Sequence, residues 1–368
     1  MPQQSNLQQC LPAIPGDTAH ITSLSFSATN DEQSLLAIGR SNGRLSIWSP
    51  QETSTRLNTQ LSSPISCLAF RPNSVNRPSI RDPTQSSETK DLIVGDEEGI
   101  VHFYCVQWPS PSDRDLFDWH GSLTLLARIK CHSQQLCGLA WTITGGHFAS
   151  GGNDNKVQLF STYQITQPAL DTRTQNNPAL NHPGGEPPIT ASTETITDFT
   201  DLAAKHSFEL RAACKALAFA PWQPSLLAAG GGSNDRCIHI YHTDSGAALA
   251  TLDCLAQVTS IIWSPPNCRK RQVAATFGFP QPDHSYRVAV FSWPRCETLV
   301  RIAWPGEERA LFGLAFGRGL VCATSDGSIK FQELWEGEED EGRECCGGVG
   351  RVGSPVFDDE FEAGGEVR

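Results

Sequence analysis

Along this chain, apolar and polar residues alternate in short runs that end on an aromatic side chain. The runs Ile21-Thr-Ser-Leu-Ser-Phe26, Ile65-Ser-Cys-Leu-Ala-Phe70 and Leu136-Cys-Gly-Leu-Ala-Trp141 share that form. It returns at Cys214-Lys-Ala-Leu-Ala-Phe219, Val258-Thr-Ser-Ile-Ile-Trp263 and Leu311-Phe-Gly-Leu-Ala-Phe316. Alternation with period two predicts a β-strand at each. After each run comes a small-residue segment, then a turn and another apolar run. From four of the turns a polar residue leads, six positions on, to an aromatic: Asn42 to Trp48, Glu98 to Tyr104, Asp154 to Phe160, Asp235 to Tyr241. Asp326 keeps the turn, but Gln332 takes the aromatic position. A carboxylate or amide in a tight turn accepts backbone N–H bonds. Even spacing then puts the aromatic on one face of the next strand, the buried one.

Weaker outer strands are expected at Thr53 to Leu61, Leu123 to Ile129, Ala248 to Leu252 and Leu299 to Ala303. Each repeat then has about four strands, too few to bury both faces alone. Radial stacking solves this by covering each face with a neighbour. The fold class is all-β, a WD-repeat β-propeller with six recognisable blades. A β-sandwich, the other architecture considered, leaves the repeat unexplained.

Interruptions set the boundaries. Residues 1–20 form an N-terminal tail, 21–335 the propeller and 336–368 an acidic, Gly-rich tail without apolar period, expected to be disordered. Polar Pro/Ser-rich loops are expected at Asn73 to Lys90 and Pro109 to Gly121. A longer disordered excursion is expected at about 162–205.

Charge and cysteine usage narrow the chemistry. The net charge of −12 is uneven: 336–368 holds 11 acids and 3 bases, leaving −4 for the rest. No basic field suited to a phosphate backbone exists, so nucleic acid is not an expected partner. No apolar stretch reaches the length of a membrane span, and no signal peptide is recognisable. The 13 cysteines contain no CxxC pair, and Cys67, Cys137 and Cys214 sit in apolar runs. Together these point to a reducing cytoplasmic or nuclear compartment. Neither a cofactor nor a metal site is expected. Gly230-Gly-Gly-Ser-Asn-Asp235 lacks the following helix of a phosphate loop, since Cys237-Ile-His-Ile-Tyr241 reads as a strand. His132 reads as structural, and Cys345-Cys346 has nothing nearby to lower a thiol pKa. No catalytic constellation is present, so a propeller enzyme is the remotest reading.

From Cys131 onward the pattern becomes specific. His132-Ser-Gln-Gln-Leu-Cys-Gly-Leu-Ala-Trp141 with Phe148-Ala-Ser-Gly-Gly-Asn-Asp-Asn155 resembles the third blade of the fizzy/fizzy-related family. Lys215-Ala-Leu-Ala-Phe-Ala-Pro-Trp222, Leu226-Leu-Ala-Ala-Gly-Gly-Gly-Ser-Asn-Asp-Arg236 and Gln257-Val-Thr-Ser-Ile-Ile-Trp-Ser264 continue the likeness. Thr276-Phe-Gly-Phe279 and Val290-Phe-Ser-Trp-Pro294 look like that family's next blade. The family comprises WD-repeat activators of the anaphase-promoting complex, a ubiquitin ligase. The resemblance implies seven blades, a divergent member of meiosis type, and a non-catalytic adaptor found in nucleus and cytoplasm. Its implied partners are subunits of the complex and substrate proteins carrying short degradation motifs.

The family's Lys-Glu-Asn (KEN) reading positions fall on Asn153, Asn155, Ser233, Gln257 and Arg309. Their chemistry suits the task. Amides both donate and accept, and a guanidinium forks onto a carboxylate. Asn153 and Asn155 also read, more blandly, as flanks of the structural turn at Asp154. The family's first blade and its N-terminal C-box find no match here, so a segment preceding Ile21 is expected to be missing. The acid after the last-blade Asp is Gly327, which puts destruction-box capture in doubt. Val367-Arg368 is similar to the family's terminal Ile-Arg, which implies a ligase-docking tail. A general WD-repeat scaffold without ligase docking stays open beside the activator.

Overall fold

The computed structural model describes residues 19–27, 34–167, 196–278, 285–304 and 306–335. They form six antiparallel blades arranged in a propeller. The first blade runs Ile21–Phe26, Leu36–Arg40, Arg44–Trp48 and Leu57–Gln60, and the second is built on Ile65–Phe70, Ser86–Asp96, Ile100–Gln107 and Ser122–Lys130. The third comprises Leu136–Trp141, His147–Gly152, Lys156–Ser161 and His206–Glu209, and the fourth Cys214–Ala220, Gln223–Gly231, Cys237–His242 and Ala247–Asp253. Val258–Trp263, Gln272–Phe277, Tyr286–Ser292 and Thr298–Ala303 make the fifth. The sixth has three strands, Ala310–Phe316, Gly319–Thr324 and Ile329–Glu333. The six alternating runs are thus the first strands of their blades, and the four expected outer strands are present.

Packing follows from the alternation. In the second blade, Leu92, Val94, Tyr104 and Val106 face the first blade, while Ile93, Val101, Phe103 and Cys105 face the third. A middle strand buried on both faces reads as one apolar run, as Leu92-Ile-Val-Gly95 does. Each fully buried Leu, Ile, Val or Phe contributes roughly 1.5–3 kcal/mol. Five buried cores occur among the described residues, one between each successive pair of blades. Six blades closed into a ring would need six. The outward faces of the end blades accordingly stay exposed: Phe26 is 62% exposed on the first, Phe316 65% and Phe331 58% on the sixth.

First strands are also clasped laterally. The indole N–H of Trp141 donates to Ala69 O (3.1 Å) and that of Trp263 to Ala218 O (3.1 Å). Ser23 and Ser25 hydroxyls accept from the Leu68 and Phe70 amides, and Ser260 accepts from Gly313 N. Gly138 permits the closest approach: a Cβ there would lie 2.2 Å from Lys215 O.

The structure corrects several expectations. Within Asn73 to Lys90, Val75–Pro78 is a strand paired with an extended Ser86–Asp96. Arg77 enforces that pairing by forking onto Asp91, which is fully buried and also accepts from Arg71 at 2.9 Å. Within Pro109 to Gly121 lies the helix Pro111–Phe117, capped by Ser110, whose hydroxyl accepts from Asp113 N. The expected excursion at 162–205 has structured ends: 162–167 is a short helix, and Thr197–Thr200 pairs in parallel with Ser122–Lys130. Arg128 holds that added strand through Asp198, at 2.8 and 3.0 Å. Residues 168–195, the first 18 residues and the tail 336–368 lie outside the described residues.

Candidate peptide-binding end of the propeller

The turn chemistry holds at three of the five turn residues and passes to a neighbour at a fourth, while the Asp235 carboxylate faces His239 Nε2 at 2.7 Å instead of a turn amide. Asn42, Asp154 and Asp326 accept from the amide two residues on, at 3.1, 3.3 and 3.1 Å. For Asp326, hydrogen bonds from the Thr324 hydroxyl and from Ser328 hold the carboxyl down at about 2. In the second blade the acceptor is Asp96 rather than Glu98. Asp96 Oδ1 receives Glu98 N and Ile100 N, and Oδ2 faces His102 Nε2 at 2.9 Å. Asp96 is buried and Glu98 exposed, so only the former can organise the turn.

The third blade carries the fullest network. His132, buried, spans Asp154 and Ser150, and Ser133 N donates to Asp154 Oδ2 at 3.0 Å. Burial lowers the His132 pKa, outweighing the pull of Asp154. Burial would raise Asp154, but the Ser133 amide and the His132 ring outweigh it and hold the carboxyl below its usual range. His132 is structural, as its position in the repeat implied.

That network fixes the turn that carries Asn153 and Asn155, and the other three candidate residues sit at the corresponding strand ends of the next three blades. In each blade the first strand starts where the second ends, as the pairs Leu136↔Gly152, Cys214↔Gly231, Val258↔Phe277 and Ala310↔Thr324 show. Asn153 and Asn155 follow Gly152, and Ser233 follows Gly231. Gln257 precedes Val258, and Arg309 precedes Ala310. All five therefore lie at the same end of four consecutive blades. Asn153, Asn155 and Ser233 are exposed, and Gln257 and Arg309 half-buried.

Four of the five are braced within their own blades. Asn153 N donates to Gln135 O, and its Nδ2 donates to Gln134 Oε1 (both 2.8 Å). Asn155 sits at φ +64°, in the left-handed region that asparagine tolerates better than most residues, and its carbonyl accepts from Leu210 N at 2.8 Å. Gln257 O accepts from Gly278 N at 3.0 Å. Arg309 and Ser325 exchange bonds, the Arg309 amide donating to the Ser325 hydroxyl and the Ser325 amide to Arg309 O, both at 3.0 Å. Backbone bracing leaves the Asn155 side chain facing solvent on a fixed stem, and Ser233 is exposed beside it in the next blade. Gly327 adopts φ +84°, so the turn itself favours glycine where the family carries an acid. Val367 and Arg368 lie outside the described residues.

Sequence reasoning missed one recurring position. The third residue of the third strand, four after the turn position, is polar in the first four blades: Ser46, His102, Gln158 and His239. Each is bound inside its blade, Gln158 Nε2 to Cys131 O at 2.6 Å and His239 Nε2 to Asp235 Oδ2 at 2.7 Å. The period-two spacing from the turn was the available signal.

Comparison with known proteins agrees with this architecture. The family model for the WD domain, G-beta repeat, matches residues 123–161. These span the outer strand of the second blade and the first three strands of the third. An uncharacterised WD repeat-containing protein of Schizosaccharomyces pombe is 32% identical over 77% of this chain and 41% of its own length. The meiosis-specific APC/C activator protein AMA1 of Saccharomyces cerevisiae is 28% identical over 87% of the chain and 48% of its own. Meiotic fizzy-related protein 2 of S. pombe is 28% identical over 88% and 54%. The chain thus spans about half the length of these relatives. Among solved structures, a chain from the crystal structure of a mitotic checkpoint complex superposes with a TM-score of 0.61 at 24% identity, over 87% of this chain and 76% of that one, a likeness of fold. By its repeats and by these sequence matches, the chain is a WD-repeat protein similar to members of the fizzy/fizzy-related family.

Proposed function

We propose that this chain is the substrate-recruiting propeller of an activator of the anaphase-promoting complex, an adaptor rather than a catalyst, working in nucleus and cytoplasm. The observation that carries this reading is its kinship, over 87% of its residues, with a protein named as a meiosis-specific activator of that complex. The blade ends add a mechanism. Asn153, Asn155, Ser233, Gln257 and Arg309 present amides, a hydroxyl and a guanidinium at one end of four neighbouring blades. Those groups suit an extended KEN motif: amides bracket the lysine and asparagine, and Arg309 pairs with the glutamate. Few hydrogen bonds must offset the ordering of a flexible peptide, so single-motif affinity is weak. Tethering to a ligase then raises the substrate's effective concentration.

A scaffold that holds peptides without the destruction-box mode is favoured at one position, Gly327. Its left-handed backbone disfavours the acid that mode would need.

Titration of a fluorescent KEN peptide against wild type, Asn155→Gly and Arg309→Ala tests the reading. Glycine keeps the φ +64° backbone, so any loss reports the amide alone. About tenfold weaker binding by each variant is expected. Equal binding by all three removes the site.

A further inference from the structure

We propose that the fourth blade carries a binding site for a thiophilic divalent cation of the zinc class, formed by Asp235, Cys237 and His239. Cys237 and His239 are two apart on one strand and share a face. Asp235 stands two before Cys237, on the turn that starts the strand. A carboxylate oxygen, Cys237 Sγ and an imidazole nitrogen here all lie within 4.8 Å of one another. Asp235 Oδ2 and His239 Nε2 are 2.7 Å apart. Tetrahedral bonds of about 2.0–2.3 Å hold their donors roughly 3.3–3.6 Å apart, so the Asp235–His239 hydrogen bond opens by about 0.6 Å and Cys237 Sγ closes by up to roughly 1 Å, within the reach of side-chain rotation, to bring all three donors onto one ion. Sulfur, nitrogen and oxygen donors together select a zinc-like ion over magnesium or calcium. Three protein ligands leave a fourth position open.

The surroundings are built for such an ion. The Gly231–Gly232 turn seats the carboxylate: a Cβ on Gly231 would lie 1.9 Å from Asp235 Oδ2, and Asp235 N donates to Gly232 O at 3.1 Å. On the other side of the imidazole, Thr251 Oγ1 lies 3.3 Å from His239 Nδ1, the outer partner that orients a ligating ring. Asp253 is directly opposite Cys237 in the sheet, adding a second carboxylate to the same face.

The other blades supply an internal control. At equivalent positions the second blade has Glu98, Ile100 and His102, and the third has Asp154, Lys156 and Gln158. Both keep a polar brace at the third position. Only the fourth of these three places a thiol between the turn acid and the imidazole. The brace alone does not require that cysteine.

The test uses the full chain with Co²⁺ and Zn²⁺, and the variants Cys237→Ser and His239→Gln. Glutamine is the residue the third blade carries at that position, so the fold tolerates it there. One equivalent of Co²⁺ is expected to give a thiolate-to-cobalt charge-transfer absorption that Cys237→Ser abolishes. His239→Gln is expected to weaken affinity by at least about 100-fold, beyond the 10–100-fold typical of losing an outer partner. Zn²⁺ should shield Cys237 from iodoacetamide, mapped by mass spectrometry, while the half-buried Cys137 and Cys296 stay reactive. An absorption that survives Cys237→Ser, wild-type affinity in His239→Gln, or no zinc protection of Cys237 would each overturn the proposal. Binding of the KEN peptide plays no part in this readout.

Discussion

His132 Nδ1 lies 2.9 Å from Asp154 Oδ1, joining the loop that enters the third blade to the turn between its second and third strands. The residues are 22 apart in sequence, yet this contact fixes the turn that carries Asn153 and Asn155. Replacing His132 by alanine leaves Asp154 and Ser150 each short of a buried partner. Such orphaned groups cost about 1–3 kcal/mol. His132→Ala is therefore expected to lower the unfolding free energy measured in urea by that amount and to weaken KEN-peptide binding, with hydrogen-exchange protection of the other blades unchanged.

The same pair sets a pH dependence. Both folded pKa values are lowered, so the unfolded chain binds more protons than the folded one as pH falls. Stability from His132 is present above its unfolded pKa of about 6.5 and is lost on acidification below it. That from Asp154 follows below about 4. Urea midpoints at pH 7.5 and 5.5 are expected to differ less in His132→Ala than in wild type. An identical difference in both would exclude His132 as a source.

How far the sequence announced all this depends on the range of the contacts involved. The first strands were legible because each run carries its own alternation; Ile65–Phe70 and Val258–Trp263 begin and end where the pattern does. Val75–Pro78 was not legible. Its residues are polar, and the pairing exists because Arg77 reaches Asp91, fourteen residues on. Thr197–Thr200 was less legible still, since its partner strand lies 70 residues upstream and only Phe199 among its four side chains is strongly apolar. At the blade ends, loop position was readable from the repeat, but the roles of Gln257 and Arg309 came from family likeness. The metal-type trio escaped because Asp-x-Cys-x-His on a strand matches no spaced motif.

Asp91 offers a sharper test of the second blade. Two guanidiniums converge on a carboxylate with no exposure. Burial would lower the Arg77 pKa, but hydrogen bonding and attraction to Asp91 raise it above its ordinary value. Removing one partner of a buried pair costs about 3–5 kcal/mol, because the other charge is left uncompensated. Asp91→Ala is expected to lose that much by chemical denaturation. The exposed Arg128–Asp198 pair, by contrast, is worth under about 1 kcal/mol, so Arg128→Ala should unfold at nearly the wild-type midpoint.

Exposure also separates phenylalanines of identical chemistry. Phe160 is fully buried between the second and third blades, whereas Phe316 and Phe331 lie edge to face on the open side of the sixth. Phe160→Ala removes a core side chain and is expected to cost about 3–5 kcal/mol. Phe316→Gln and Phe331→Gln remove exposed apolar surface and should change stability by less than about 0.5 kcal/mol. Clustered exposed rings promote association, so the double variant is expected to sediment with less self-association than wild type. Unchanged sedimentation would mean that this face is covered in solution.

Glycines at two close approaches distinguish backbone from side-chain crowding. A methyl at Gly138 would meet Lys215 O at 2.2 Å, a backbone atom fixed by the next blade's own sheet. A methyl at Gly327 meets nothing within 4 Å, but φ +84° burdens any L side chain. Gly327→Ala should thus cost about 1 kcal/mol of local strain, confined to the sixth blade. Gly138→Ala must push the third and fourth blades apart, and the separation propagates along their clasped first strands. Its loss is expected to exceed that of Gly327→Ala, with hydrogen-exchange protection falling in both blades. If Gly138→Ala matched Gly327→Ala in stability and exchange, lateral contact between first strands would not be what holds neighbouring blades in register.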